Sequence, residues 1–308
     1  MKIKPIWMLA ICFGFLAGCT DKPTQVVSTE FPTIPSQSNT SEEVVSSTAT
    51  LEVTPTPDEP MIATINGEGI RLQDYEAELK RYEAAVTALE KEYDENMAKE
   101  TVLNAMIDAL LLAQAARENG FTLTQETFDG RMQQSISSIG GETQFQEWLS
   151  ENFYTQDSFS RLLNLDLEAT WMRDLIISEV PVREEQIRAR QILVSSKSLA
   201  EDIYTQLKNG ADFDYYSWGY DQLSGGELGW FPRNYLVLQE IEEAVFNLQP
   251  GEYTQVIEST YGFHIVQVME RELDRPLTQD ALIQKQKKAI SDWLQDQRGT
   301  NSIVLNQN

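Results

Sequence analysis

The pattern of apolar residues changes near Pro181 and divides the folded part of the chain into two different halves. Before this point, apolar residues recur every three or four positions, which is typical of amphipathic helices. After it, glycine and aromatic residues are frequent over 215–231, and the apolar runs are short enough for strands. The sequence therefore predicts an α+β protein with a mainly helical domain over 61–183 and a smaller mixed domain over 184–274.

Turn and cap residues define the predicted elements of the first half. Asn66-Gly67 separates two short extended segments, because this pair supplies the positive φ of a type I′ turn. Asn119-Gly120 is a typical helix C-cap, and Thr124 and Thr155 are candidate N-caps. The predicted helices cover 74–93, 102–117, a segment after Thr124, 145–149 and 159–180.

The second half alternates between predicted strands and helices, and a last helix follows it. A small antiparallel sheet flanked by helices accounts for this pattern. The last helix runs from Thr278 to about Arg298 and carries Trp293 on its apolar face. We expect it to pack onto the N-terminal helices, so that 275–308 belongs to the helical domain. The predicted strands cover 188–194, 253–257 and 264–268, and the predicted helices between them cover 199–209 and 240–247.

Residues 1–19 have the pattern of a secretory signal peptide. Lys2 and Lys4 precede an apolar stretch that is too short for a typical membrane-spanning helix. The stretch ends in LAGC at 16–19, which is similar to a bacterial lipobox. This similarity implies lipidation of Cys19 and anchoring at the extracytoplasmic face of the cell membrane. An ordinary signal peptide or an uncleaved anchor is the alternative.

Residues 20–60 are predicted to form a disordered tether. About half of them are Ser, Thr or Pro, and Phe31 is the only aromatic residue. Such a composition buries too little apolar surface to offset the conformational entropy of the chain. A tether of this kind would hold the folded part away from the lipid surface.

Charge and the counts of two residue types exclude several classes of function. The formal charge is −24, from 48 acidic and 24 basic residues, so the chain would repel a nucleic-acid backbone. One His and two Cys are too few for a Cys/His zinc site. We therefore expect no metal, no cofactor and no nucleic-acid partner.

Three segments of the second half resemble the parvulin family of peptidyl-prolyl isomerases, also called PpiC or rotamase domains. They stand in the family's order and spacing over about 187–272. The remaining part, 61–180 with the last helix, is similar to the chaperone part of PrsA- and SurA-type foldases. In those families the last helix completes the N-terminal domain, which makes the isomerase domain an insertion within it. The three segments are ARQILV at 189–194, GGELGWF at 225–231, and AVFNLQPGE at 244–252 followed by YGFHIV at 261–266.

The resemblance implies an apolar slot for the proline ring and a polar floor beneath it. In the floor, His264 matches the second family His, and Gln191 stands where the family has its first His. A family Cys or Asp position falls near Asp221, or at Gly219 if the shortened loop is aligned differently. Ser259 matches a hydroxyl position beside the His. By the same match, the slot contains Leu228, Phe231, Leu236 or Val237, and Ile241.

Together these features predict a lipid-anchored extracytoplasmic foldase. It would catalyse cis–trans isomerisation of X–Pro bonds in unfolded or newly secreted polypeptides. The alternative is a non-enzymatic holdase with a degenerate parvulin domain, suggested by Gln191 and by the shortened loop before Gly225.

Overall fold

A computed structural model describes residues 59–306. The predicted signal peptide, the lipidation site Cys19 and all but the last two residues of the predicted tether lie outside the described residues. The helical domain begins with two short strands and five helices. These are β1 (Met61–Ile65), β2 (Glu68–Arg71), α1 (Leu72–Ala88), α2 (Glu95–Glu118), α3 (Gln125–Ile139), α4 (Glu142–Glu151) and α5 (Gln156–Ser178).

The α+β domain follows and the chain then returns to the helical domain. The α+β domain consists of four strands and three helices. They are β3 (Arg183–Val194), α6 (Lys197–Lys208), α7 (Phe213–Tyr220), β4 (Glu227–Pro232), α8 (Gln239–Phe246), β5 (Ile257–Ser259) and β6 (Gly262–Pro276). The return consists of α9 (Gln279–Thr300) and β7 (Ile303–Leu305).

Local capping explains where the first helices begin and end. The Asn66-Gly67 turn has φ values of 51° and 88°, as predicted. Helix α1 ends at Ala88, earlier than predicted, and Glu90 just beyond it has a positive φ of 54°. Helix α2 begins at Glu95, seven residues earlier than predicted, because the Asp94 carboxylate accepts the Met97 N–H at 2.9 Å.

Helix α9 packs against α2 and α5. Its residues Ile290, Trp293 and Leu294 lie against a buried cluster that includes Leu112 and Met172. After α9, β7 pairs antiparallel with β1, which gives a sheet of order β2-β1-β7. The sequence pattern did not predict β7. The C-terminal part of the described chain therefore completes the helical domain, to which β1 also belongs.

The α+β domain is built around an antiparallel sheet of order β4-β3-β6-β5. One core, with α8, contains Ile187, Phe231 and Val266, and a second, with α6 and α7, contains Ile192 and Ile265. Because Ile265 and Val266 are neighbours on β6, the two cores lie on opposite faces of the sheet. The predicted α+β class is confirmed, with a small antiparallel sheet flanked by helices.

The segment predicted as a strand over 253–257 pairs with β6 only intermittently. Tyr253 forms an isolated bridge with Gln267, and regular pairing starts at Ile257. Between them, the Thr254 hydroxyl accepts the Val266 N–H at 3.0 Å, so a side chain contributes to the pairing. The regular strand β5 is consequently only three residues long.

A two-stranded stem connects the two domains. Arg183 at the start of β3 is paired with Pro276 at the end of β6. The buried Gln186 amide donates to the carbonyl oxygens of Arg275 and Pro276 at 2.9 and 3.0 Å. The α+β domain therefore leaves and rejoins the helical domain at one place. Among residues 59–306, no helix has both the length and the apolar character needed to cross a membrane.

Candidate active site

His264 lies at the centre of a polar trio formed by three strands of the sheet. It is only 2% exposed and stands on β6 opposite Leu193 of β3 and Ile257 of β5. Its Nδ1 lies 2.8 Å from Gln191 Oε1, and its Nε2 lies 2.6 Å from Ser259 Oγ. Gln191 and Leu193 share one face of β3, since side chains alternate along a strand. The structure thus brings together three of the four residues predicted for the polar floor.

These distances define how protons are arranged in the trio. With the Gln191 amide oxygen facing Nδ1, that nitrogen carries the proton and donates it. Nε2 is then unprotonated and accepts the Ser259 hydroxyl proton. The Ser259 oxygen in turn accepts the Tyr261 N–H at 3.0 Å. A neutral imidazole satisfies both partners, and Gln191 fills the role of an acceptor without being titratable.

Burial lowers the pKa of His264 below its ordinary value of 6.5, and the carboxylate of Glu240 opposes this shift only in part. The neutral form is therefore favoured at neutral pH. A lowered pKa in the folded state means that the unfolded chain binds the proton more readily as the pH falls. The contribution of His264 to the free energy of unfolding is complete above about pH 6.5 and decreases as the pH falls towards the folded-state pKa.

The single His makes this shift directly measurable. We expect the only imidazole Cε1–H resonance in the proton NMR spectrum to titrate below 6.5. In the same samples, the free energy of unfolding should decrease between pH 7 and pH 5.5, and His264→Gln should reduce this dependence. An imidazole pKa above 6.5 would contradict the neutral, buried assignment.

The predicted slot residues lie on the face of the sheet that carries α8. Phe231 and Ile241 are buried in its core, at 0% and 3% exposure. Leu228 and Leu236 are partly buried and pack against the same core. Val237 is 88% exposed, so of the two alternatives Leu236 is the one in contact with the apolar core. The assignment of these residues to a proline slot stays a prediction.

The Asp221 side chain has its described hydrogen bonds within the adjoining turn. Its carboxylate accepts the N–H groups of Leu223, Ser224 and Gly226 at 3.0, 3.1 and 3.3 Å, as well as the Ser224 hydroxyl. These hydrogen bonds, led by that of the Ser224 hydroxyl, lower the pKa of Asp221. Asp221 therefore shapes the turn. Gly219, the other candidate for this position, lies inside α7.

This turn holds the backbone beside the polar trio. The Gln191 N–H donates to the Gly226 carbonyl at 2.8 Å. Gly226 has a φ of 72°, and a Cβ built on it would lie 1.9 Å from the Gln191 carbonyl oxygen. Only glycine allows this close approach. Glycine at position 226 is thus required by the site's geometry.

Sequence reasoning missed Glu242, a buried carboxylate next to the predicted slot. It is 4% exposed and accepts the backbone N–H groups of Asn234, Tyr235 and Leu236. A signal was present, because Glu242 stands at helical spacing from the apolar Leu238 and Val245. An acidic residue on an apolar stripe indicates a buried partner.

A small antiparallel sheet with a buried His, flanking polar groups and an adjacent apolar core is the arrangement that the resemblance to the parvulin family implies. Residues 176–272 match the family model of the PPIC-type PPIASE domain, and residues 49–160 match that of the SurA-like N-terminal domain. The chain thus contains a PPIC-type peptidyl-prolyl isomerase domain and a SurA-like N-terminal domain.

The chain is also similar to curated relatives and to solved structures. Foldase protein PrsA of Caldanaerobacter subterraneus is 28% identical over 233 residues, which cover 67% of this chain and 72% of the relative. Foldase protein PrsA of Geobacillus kaustophilus is 28% identical, over 56% of this chain and 62% of the relative. The crystal structure of the peptidylprolyl isomerase PrsA from Bacillus cereus covers 79% of this chain and 87% of its own, with a TM-score of 0.43 and 18% identity.

Proposed function

We propose that the chain is a lipid-anchored extracytoplasmic foldase that isomerises X–Pro bonds in newly secreted polypeptides. The observation that carries the isomerase part is the buried His264, held between Gln191 and Ser259 beside an apolar core. The family match supports the enzymatic function over the non-enzymatic alternative.

The proposed reaction needs no covalent intermediate. Rotation about an X–Pro bond breaks amide resonance, and the uncatalysed barrier is about 18–20 kcal/mol. A site lowers this barrier when it binds the twisted amide better than the planar one. Leu228, Phe231 and Leu236 would hold the proline ring and exclude water, which favours the less polar twisted state.

The polar trio would act on the amide without transferring a proton to it. The imidazole of His264 is neutral and has both nitrogens engaged, so it offers a fixed dipole and no labile charge. Such preorganised groups stabilise a changing charge distribution without reorganising during the reaction. The amide of Gln191 replaces a titratable group, and we therefore expect the isomerase rate to vary little between pH 7 and pH 9.

A cleft in the helical domain supports the chaperone part of the proposal. Its volume is about 1490 Å³, and α1, α2, α5 and α9 supply most of its lining. The lining contains apolar residues such as Leu112, Ile177 and Leu294 as well as ionic ones such as Arg161 and Asp166. A mixed lining of this kind suits extended polypeptides of varied sequence, which expose both apolar and charged side chains.

Membrane anchoring is supported by the LAGC sequence at 16–19 and by the tether composition of 20–60. We expect the full chain, expressed in a bacterium, to incorporate labelled fatty acid and to sediment with membranes. Cys19→Ser should abolish labelling and release the protein from the membrane fraction. Cys12→Ser is the matched control, because that thiol lies inside the predicted signal peptide. If Cys19→Ser incorporated as much labelled fatty acid as the wild-type chain, the proposal would be contradicted.

A further inference from the structure

The loop between β4 and α8, residues 233–238, contacts both domains. We call it the slot loop because it carries Leu236, the predicted slot residue that packs against the apolar core. Asn234 within it has a positive φ of 58°, so its shape needs specific support. This support comes from Glu242 on one side and from helix α9 on the other.

Glu242 supports the slot loop from within the α+β domain. Its Oε1 accepts the Asn234 N–H at 2.5 Å, and its Oε2 accepts those of Tyr235 and Leu236 at 2.9 Å each. Hydrogen bonds to a buried carboxylate are short and strong, and they offset the cost of burying the charge. Three successive backbone groups are therefore held to one anchor, which sets the position of Leu236.

Helix α9 of the helical domain contacts the same loop from the other side. The Tyr235 hydroxyl donates to the Asp280 carboxylate at 2.9 Å, while the Tyr235 ring packs against the core of the α+β domain. This hydrogen bond, together with burial, raises the pKa of the Tyr235 phenol. Nearby, Lys285 of α9 pairs with Glu184 of β3 at 2.5 Å. The contact therefore belongs to a structured junction between the domains.

The same end of α9 also lines the large cleft. Ile283, which lines the cleft, follows Asp280 by three positions, about 4.5 Å along the helix axis. Gln286, Lys287 and Ile290 extend this lining along α9. A polypeptide that shifts α9 on entering the cleft would therefore also shift the carboxylate that holds Tyr235.

We propose that Asp280 is a positioning residue for the isomerase site, coupling the cleft of the helical domain to the slot loop through Tyr235. The inference rests on the proposed function, specifically on Leu236 being part of the proline slot. Coupling between two binding sites is reciprocal. A polypeptide in the cleft should thus change the affinity of the slot for proline, and a proline peptide should change the affinity of the cleft.

The test compares Tyr235→Phe, Asp280→Ala and the double variant in the chain from residue 20 onward. Each single variant should raise KM for a proline tetrapeptide by about three- to tenfold, which is the effect of losing one hydrogen bond, with kcat unchanged. The double variant should have no larger effect than either single one. Matched controls are Tyr215→Phe, on an exposed Tyr of α7, and Asp292→Ala on α9, both expected to leave KM unchanged.

Two outcomes would overturn the coupling, and both differ from a failure of the proposed function. One is an unchanged KM in Tyr235→Phe, and the other is a double variant whose effect equals the product of the single effects. An inactive wild-type protein would instead contradict the proposed function. In that event, the dissociation constant of the same peptide, followed by the Leu236 amide signal in NMR, replaces KM as the readout. A dissociation constant in Tyr235→Phe equal to that of the wild-type protein would overturn the coupling.

Discussion

Gly226→Ala is expected to destabilise the α+β domain strongly and to abolish its isomerase activity. Alanine at this position would be strained in two ways. Its φ would be 72°, and its Cβ would lie 1.9 Å from the Gln191 carbonyl oxygen. Each kind of strain costs about 1–3 kcal/mol. Backbone movement that relieves the clash would break the hydrogen bond from the Gln191 N–H to the Gly226 carbonyl. Gln191, and with it His264, would then lose its position.

Calorimetric unfolding provides the measurement, and Gly219→Ala provides the control. Gly219 lies in the last turn of α7, where a Cβ would meet no atom within 4 Å. Replacing a helical glycine with alanine stabilises by about 0.5–1 kcal/mol, so the control should unfold slightly later than the wild type. The account would be contradicted if Gly226→Ala unfolded at the wild-type temperature.

His264→Ala is expected to have the largest effect on activity among folded variants. It removes the acceptor of the Ser259 hydroxyl and the donor to the Gln191 amide. Leaving a buried polar group without a partner costs about 1–3 kcal/mol. If His264 stabilises the twisted amide by a free energy of this size, its loss should lower kcat/KM at least about tenfold, since 1.36 kcal/mol corresponds to a factor of ten.

A double-mutant cycle separates the role of the trio from simple loss of stability. Gln191→Leu keeps the approximate size of the side chain and removes its amide, including the oxygen that accepts from His264 Nδ1. The double variant should lower kcat/KM by less than the product of the two single effects, because the two groups act as one unit. Circular dichroism identifies which variants remain folded. Additive effects would contradict a shared role.

The resemblance to the parvulin family identified Gln191, His264 and Ser259 from the sequence, and the pairing of the strands explains why their side chains meet. Gln191 and His264 lie within short apolar runs, and pairing of β3 with β6 places them on one face. Because Gln191 stands where the parvulin family has a His, the sequence alone left isomerase activity open. The structure shows that its amide oxygen reaches the imidazole at 2.8 Å, a contact that no single-sequence pattern contains.

Other features were not predicted, for different physical reasons. Strand β7 is three residues long, and its partner β1 lies more than 230 positions earlier in the chain. Asp221 could be placed in the floor by alignment, but its side chain bonds to its own turn. The role of Glu242 depends on how the slot loop folds back over α8. Tertiary packing therefore decides where β7 pairs, whereas local turn geometry decides where the Asp221 side chain points.

The central claim is that the trio of Gln191, His264 and Ser259 serves a functional isomerase site. The most direct test is a protease-coupled assay of cis–trans isomerisation, with a proline tetrapeptide and micromolar protein produced from residue 20 onward. The account predicts that the wild-type chain accelerates the cis-to-trans reaction and that folded His264→Ala loses most of this acceleration. A wild-type rate equal to the uncatalysed thermal rate would contradict it.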